Sequence, residues 1–145
     1  MSTDVHATAA ARLRGAGQRY TPQRRRLVSV LASADHPVAL PEILATATEL
    51  KQSSAYRNLA DLEQASVVRR VTTDEGYGRY ELTEELTSHH HHLICRSCGR
   101  VEDIGIPPDL ERSLDDVLGR LAARAGFADT SHRLDLIGTC RTCAP

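Results

Sequence analysis

Four cysteines stand in this chain as two Cys-x-x-Cys pairs, Cys95/Cys98 and Cys140/Cys143. A two-residue gap lets both sulfurs of a pair face one tetrahedral ion, and four thiolates suit the borderline-soft zinc ion. A structural zinc is therefore favoured over a redox dithiol, disulfides or an iron–sulfur centre. In a reducing compartment this cysteine usage points the same way. A closed set of four ligands leaves no position for a reacting group, so the zinc implies folding energy and no catalysis. Just before the first pair stand His89, His90, His91 and His92, four of the seven histidines, the others being His6, His36 and His132. A strand over Thr87–His92 would send His90 and His92 to one side and His89 and His91 to the other. Paired imidazoles near carboxylates would hold Fe²⁺, Zn²⁺ or Mn²⁺. A mere surface histidine run fits less well, because the run is internal and adjoins the cysteine knuckle. His6 is assigned to a disordered or solvated N-terminus.

The elements that must position these residues can be read from periodicity. A first helix covers about 5–16 and ends at Gly17. Thr21-Pro22 reads as an N-cap followed by proline at the first helical position, where no N–H is needed. The helix that follows turns Leu27, Val30, Leu31 and Ala34 to one side and ends at His36-Pro37. A short helix starts at Pro41 and runs to about Thr48. A fourth spans Gln52–Gln64, burying Ala55, Leu59 and Leu62 and leaving Gln52, Ser53, Tyr56, Arg57 and Ala60 outside. Val67–Val71 and Gly78–Leu82, joined by a turn at Asp74-Glu75-Gly76, form a wing-like hairpin. Such an order predicts a winged helix-turn-helix whose fourth helix enters the major groove.

In the second half, Val101–Ile104 reads as a returning strand. Pro107-Pro108 presents a helix over about 109–125, apolar at Leu110, Leu114, Val117, Leu118, Leu121 and Ala125, with Gly126 closing it. A last strand, 131–139, leads into Cys140. Strand, strand, helix, strand makes a three-stranded α/β layer with one helix face on the sheet. Its exposed edge and leftover apolar surface predict a homodimer. The expected fold class is α+β, with a winged-helix domain at 1–83, a hinge at 84–88 and a dimerisation and metal-binding domain at 89–145.

Composition sets the bounds. The chain has 145 residues, 41% hydrophobic and only 3% aromatic, with no Trp and one Phe. Such a modest core asks for a supplement from metal or a partner subunit. No run approaches the roughly 18 apolar residues a membrane span needs, and no signal peptide is evident, so a cytoplasmic protein with no membrane partner is expected. The net charge of -1 says little, but its distribution says more: residues 1–26 carry six arginines against Asp4 alone. Residues 83–145 carry ten acidic and seven basic side chains. Basic charge concentrated at the front suits a DNA duplex. Two rival classes fit the residues less well. A zinc hydrolase using Glu81 or Asp103 as base lacks HExxH or a nucleophile triad. A zinc-stabilised module binding only proteins leaves the arginine-rich front and the exposed Tyr56-Arg57 pair without a use.

Arg19-Tyr20-Thr21-Pro22-Gln23-Arg24, SSAYRNLADLE at 53–63, HHHHLICRSCG at 89–99, VED at 101–103 and H…GTCRTC at 132–143 together resemble the ferric uptake regulator family of bacterial metal-dependent repressors. The resemblance spans nearly the whole chain. It implies a sensing site at the hinge made of His36, Glu81, His90, His92 and Asp103. It implies a second site made of His89, His91, His132 and an acid on the intervening helix, Asp115 or, one turn earlier, Glu111. For DNA it implies Tyr56 and Arg57 on bases and phosphate and Arg19 on the minor groove or backbone, with a dimer on an inverted-repeat, AT-rich operator. A histidine-rich second site resembles the zinc regulators, yet no fifth cysteine is present as in many of them. Zinc or iron, with manganese as a further option, stays open. Peroxide-sensing members typically have Asp where this chain has Glu81, which makes that function the alternative.

Overall fold

The computed structural model describes residues 4–73 and 78–145. Helix α1 (Val5–Gly15) is capped by Asp4, whose carboxylate accepts the N–H groups of His6 and Ala7. Gly17, with φ of 73°, turns the chain away in a left-handed conformation that favours glycine. Thr21 caps α2 (Pro22–Ser33) through its Oγ1, which accepts the Arg24 N–H at 3.3 Å. Strand β1 (Val38–Ala39) leads into α3 (Leu40–Thr46), and α4 (Gln52–Gln64) follows. β2 (Val68–Thr72) and β3 (Gly78–Leu82) complete the first sheet, in the order β1-β3-β2. The sequence reading missed β1, since two residues carry no periodicity. The expected turn at Asp74-Glu75-Gly76 lies outside the described residues.

Leu13, Leu27, Val28, Ile43, Leu59, Leu62, Val67, Val68 and Leu82 are buried where α1, α2 and α4 meet this sheet. Arg24, counted above with the basic front, is buried as well, at 8% exposure. Its Nε donates to Asn58 Oδ1 at 3.0 Å, its Nη2 to Asp61 Oδ2 at 2.7 Å and its Nη1 to the Arg19 carbonyl at 2.7 Å. One guanidinium thus ties α4 to the start of α2 and to the segment carrying Arg19. Arg24→Ala leaves a carboxylate, an amide and a carbonyl without their shared donor, and is expected to destabilise the fold by about 3 kcal/mol. Urea unfolding measures this, and an unchanged midpoint would refute the keystone role.

A 3-10 turn at Glu84–Leu86 follows β3, and Leu86 is the last member of the main core. Strands β4 (His91–Cys95), β5 (Val101–Ile104) and β6 (Asp135–Gly138) form a second sheet in the order β5-β4-β6, with β4 and β6 parallel. The strand expected over 87–92 is therefore displaced: pairing starts at His91↔Ile104 and runs through Ile94↔Val101. Beyond Ile104 the chain heads for Pro107-Pro108, so residues 87–90 have no strand to pair with. Likewise the last strand begins at Asp135, after His132. Helix α5 (Pro108–Arg124) ends before Gly126, whose φ is 85°.

The expectation that α5 would bury one face on its own sheet is not met. No residue of α5 is buried, and Leu110, Val117, Leu118 and Leu121 are exposed, as are Leu136 and Ile137 on β6. Among the described residues after Leu86, the buried apolar side chains are Ile94, Cys95 and Val101.

Candidate metal centres and nucleic-acid interface

Among the described residues, three clusters of ligand-type side chains gather in the second half and at its junction with the first. The knuckle Cys95–Cys98 follows β4, and Cys140–Cys143 follows β6, the parallel neighbour of β4, so sheet pairing alone brings the four sulfurs together. Cys98 Sγ lies 3.8 Å from Cys140 Sγ. That matches the edge, about 3.8 Å, of a sulfur tetrahedron built on zinc–sulfur distances of about 2.3 Å. The backbone N–H of Cys140, with those of Cys98 and Ser97, pulls the Cys95 thiol down to about 6. Cys143, crowded by the sulfurs of Cys140 and Cys98, is pushed up to about 12. Four thiols so placed cannot all ionise without a cation among them, and the donor set fits zinc.

On one side of the histidine run, His89, His91 and His132 converge on Glu111, on the first turn of α5. Glu111 oxygens lie 2.9 Å from His89 Nε2, 3.0 Å from His91 Nε2 and 2.6 Å from His132 Nε2. His132 Nε2 is buried and makes no hydrogen bond despite that approach. A nitrogen and a carboxylate oxygen this close without hydrogen-bond geometry are arranged as co-ligands of one cation are. Asp115 stands elsewhere, 3.0 Å from the other ring nitrogen, His132 Nδ1. A carboxylate so placed would orient the imidazole if the opposite nitrogen held a metal. Glu84 is placed likewise on His89, 2.9 Å from its Nδ1.

On the other side, Glu81 Oε2 lies 2.8 Å from His90 Nε2 and 3.1 Å from His92 Nε2, and Asp103 Oδ1 lies 3.7 Å from each of those nitrogens. Glu81 belongs to the wing hairpin and the other three to the second sheet or its approach, so the cluster spans the two halves. Burial opposes ionisation of Glu81, yet His92, Arg69 and His90 hold it down to about 2. His90 and His92 are raised in turn, desolvation notwithstanding, chiefly by the Ser88 carbonyl and by Glu81 respectively. His36 is not brought into this cluster. Its Nε2 lies 3.0 Å from Glu42 and its Nδ1 2.8 Å from Asp35, although it lines the same cleft as Glu81, His90 and Asp103. His6 is not free in solvent either: its ring lies 2.6 Å from the Tyr20 hydroxyl and 3.2 Å from Ser29 Oγ.

Sequence reasoning missed the partners Arg69, Glu84 and Asp135. Only Arg69 left a signal, since a hairpin register pairing Arg69 with Glu81 follows once the wing's length is known. Asp135 reaches His92 Nδ1, at 3.3 Å, across the parallel β4/β6 pairing, which sequence does not announce.

Away from the clusters, α4 turns Gln52, Ser53, Tyr56, Arg57 and Ala60 to a shallow exposed face, with Tyr56 56% exposed. Arg19 is exposed too, on the segment that Arg24 holds. Small side chains around one aromatic and one guanidinium let a helix approach base edges while the charge meets phosphate.

A winged helix whose hairpin supplies a carboxylate to a histidine cluster on a second, thiolate-bearing sheet defines a class: DNA-binding regulators that a metal ion can govern. The comparisons agree. The profile of the ferric uptake regulator family matches residues 15–137. The peroxide-responsive repressor PerR of Staphylococcus epidermidis is 31% identical over 137 residues, covering 92% of this chain and 86% of its own. The peroxide operon regulator of Bacillus subtilis is 29% identical over 136 residues, covering 91% and 88%. Among solved structures, the ferric uptake regulator of Vibrio cholerae superposes with a TM-score of 0.67 at 26% identity, over 88% of this chain and 96% of that one. The Helicobacter pylori ferric uptake regulator, a protein with three functional metal binding sites, shares the fold with a TM-score of 0.74 at 24% identity, over 96% and 91%. This chain belongs to the ferric uptake regulator family, whose members are transcriptional regulators and not enzymes. No described helix is long and apolar enough to cross a membrane.

Proposed function

We propose that this chain is a cytoplasmic, metal-dependent transcriptional repressor of metal-homeostasis genes, controlling zinc or iron uptake. It acts as a metal-loaded homodimer on an inverted-repeat, AT-rich operator. One observation carries the reading: a carboxylate of the wing hairpin, Glu81, meets His92 of the other sheet and His90 on the approach to it at ligand spacing. A divalent ion bound there supplies the charge that makes the joined arrangement more stable than the parted one. Glu81 then fixes the wing, and with it α4, against the second sheet. Tyr56, Arg57 and Arg19 are held at one angle, and two such heads on a two-fold dimer match two half-sites. The resemblance adds His36, which joins only by exchanging Glu42 for the ion. Cys95, Cys98, Cys140 and Cys143 take the structural zinc, and His89, His91, Glu111 and His132 a further regulatory ion. The proposed division is 1–83 for DNA, 84–88 for the hinge and 89–145 for metal and dimer. The apolar face of α5 and the exposed Leu136 and Ile137 support the dimer.

The names of the two curated relatives favour a second reading, peroxide sensing, against which stands Glu81 in place of the Asp typical of such members. One experiment separates them. A duplex is selected from a random pool by the metal-loaded protein, and its binding is titrated with Fe²⁺, Zn²⁺ and Mn²⁺ in metal buffers. The expected result is that one ion switches binding on, His90→Ala abolishes the switch, and Arg57→Ala weakens binding with a shallower salt dependence. Binding that is indifferent to every ion overturns metal gating. Rapid loss of binding by the iron-loaded protein on adding peroxide selects the second reading.

A further inference from the structure

Arg69 on β2 sits opposite Glu81 on β3, facing the groove where the wing sheet meets His90 and His92. Its Nε donates to Glu81 Oε1 at 2.9 Å, and its Nη2 contacts the same oxygen. Its Nη1 lies 3.9 Å from Glu84, which steadies the guanidinium from the other side. The Glu81 carboxylate is thereby divided: Oε1 belongs to Arg69, and only Oε2 faces His90 Nε2 and His92 Nε2. The side chains of Arg69 and Glu81 are 13% and 8% exposed, so water does not readily replace either contact.

We infer that Arg69 is a specificity-determining positioning residue, which restricts Glu81 to one ligand oxygen and so biases the hinge cluster toward a metal of low coordination number. The inference rests on the reading of Glu81, His90, His92 and Asp103 as a metal site. With His36 held by Asp35 and Glu42, the donors at hand are His90 Nε2, His92 Nε2, Glu81 Oε2 and Asp103 Oδ1, a set of four. Their nitrogen–oxygen separations, 2.8 and 3.1 Å to Glu81 and 3.7 Å from each nitrogen to Asp103, lie on either side of the edge of about 3.3 Å for a tetrahedron on zinc–ligand distances of about 2.0 Å. Manganese favours six ligands rich in oxygen, and iron is served by more ligands than zinc. A Glu81 free to offer both oxygens would suit them better. A guanidinium held on Oε1 withholds that second oxygen and keeps a fixed positive charge beside the site, at equal cost to every divalent ion.

The test uses the full-length protein with its cysteine zinc retained, in a His132→Ala background that disables the Glu111 cluster. Co²⁺ is the spectroscopic probe, because four-coordinate tetrahedral Co²⁺ absorbs strongly in the visible and higher coordination weakens the bands. The parent is expected to give the strong bands and to lose them with His90→Ala. Arg69→Met is expected to weaken the bands and to shift competition toward Mn²⁺ over Zn²⁺ by roughly tenfold, the scale on which outer partners of ligands act. Arg69→Lys, which keeps a cation on the same oxygen, is expected to retain the parent spectrum and preference. Unchanged bands and preference in Arg69→Met, or a Lys variant that behaves as the Met variant does, overturns the role of Arg69 and leaves the metal site standing. Bands that survive His90→Ala place the ion elsewhere and overturn both.

Discussion

Cys140→Ser is expected to abolish zinc retention and to unfold the second sheet while the winged helix stays folded. The size of this effect follows from how little else holds that half together. Its strands are five, four and four residues long, α5 buries no residue, and Ile94, Cys95 and Val101 are its buried apolar side chains among the described residues. A structural zinc contributes about 10 kcal/mol or more in small metal-dependent domains, comparable with the whole stability of an ordinary domain. The winged helix, by contrast, has a continuous core from Ala9 to Leu86 that does not involve the cysteines. Zinc content per chain and amide hydrogen exchange read the two halves separately. Full zinc retention, or protection of β4 and β6 equal to that of the parent, contradicts the assignment.

The second large effect concerns the choice between two acids one helical turn apart. Glu111→Ala removes the oxygens that His89, His91 and His132 share, and is expected to lower divalent-ion affinity at that cluster by about 100-fold or more. Asp115→Asn removes only the partner of His132 Nδ1 and is expected to cost about tenfold, since an outer partner orients a ligand without being one. Calorimetric titration of Zn²⁺ into protein with the hinge cluster silenced by His90→Ala measures both. Equal losses, or a larger loss for Asp115→Asn, would invert the assignment. The distinction also has a structural logic. Glu111 lies in the first turn of α5, where the helix dipole favours a carboxylate. Asp115, one turn on, is 63% exposed in its side chain and reaches only the far edge of the His132 ring.

The winged helix was legible in the sequence because its cues are local. Thr21-Pro22 names a helix start, Leu59 and Leu62 name a buried stripe, and Tyr56 and Arg57 fall opposite that stripe by helical geometry alone. The cysteine quartet was legible because two-residue spacing is itself a ligand geometry. Even the parity of the histidines survived: His89 and His91 part from His90 and His92, although the strand begins only at His91. Alternation is a property of extended chain, and it does not require the ladder to extend as far as the pattern does.

Tertiary structure decided what depends on one element's depth or register against another. Sequence spacing put Glu111 and Asp115 on one face of α5, and only the placement of α5 beside β4 and the segment before β6 chose which of them the histidines meet. Arg24 read as one more charge of the basic front and Arg69 drew no reading at all, and both became keystones because α4 brought Asn58 and Asp61 to one and the hairpin register brought Glu81 to the other. His36 went the other way, its ring taken by Asp35 and Glu42, which lie near it in sequence. The sequence by itself determined which atoms could bind metal and which helix could read DNA. The fold alone decided which of those atoms point at one another, because distance between elements is a property of packing and is written in no single stretch of chain.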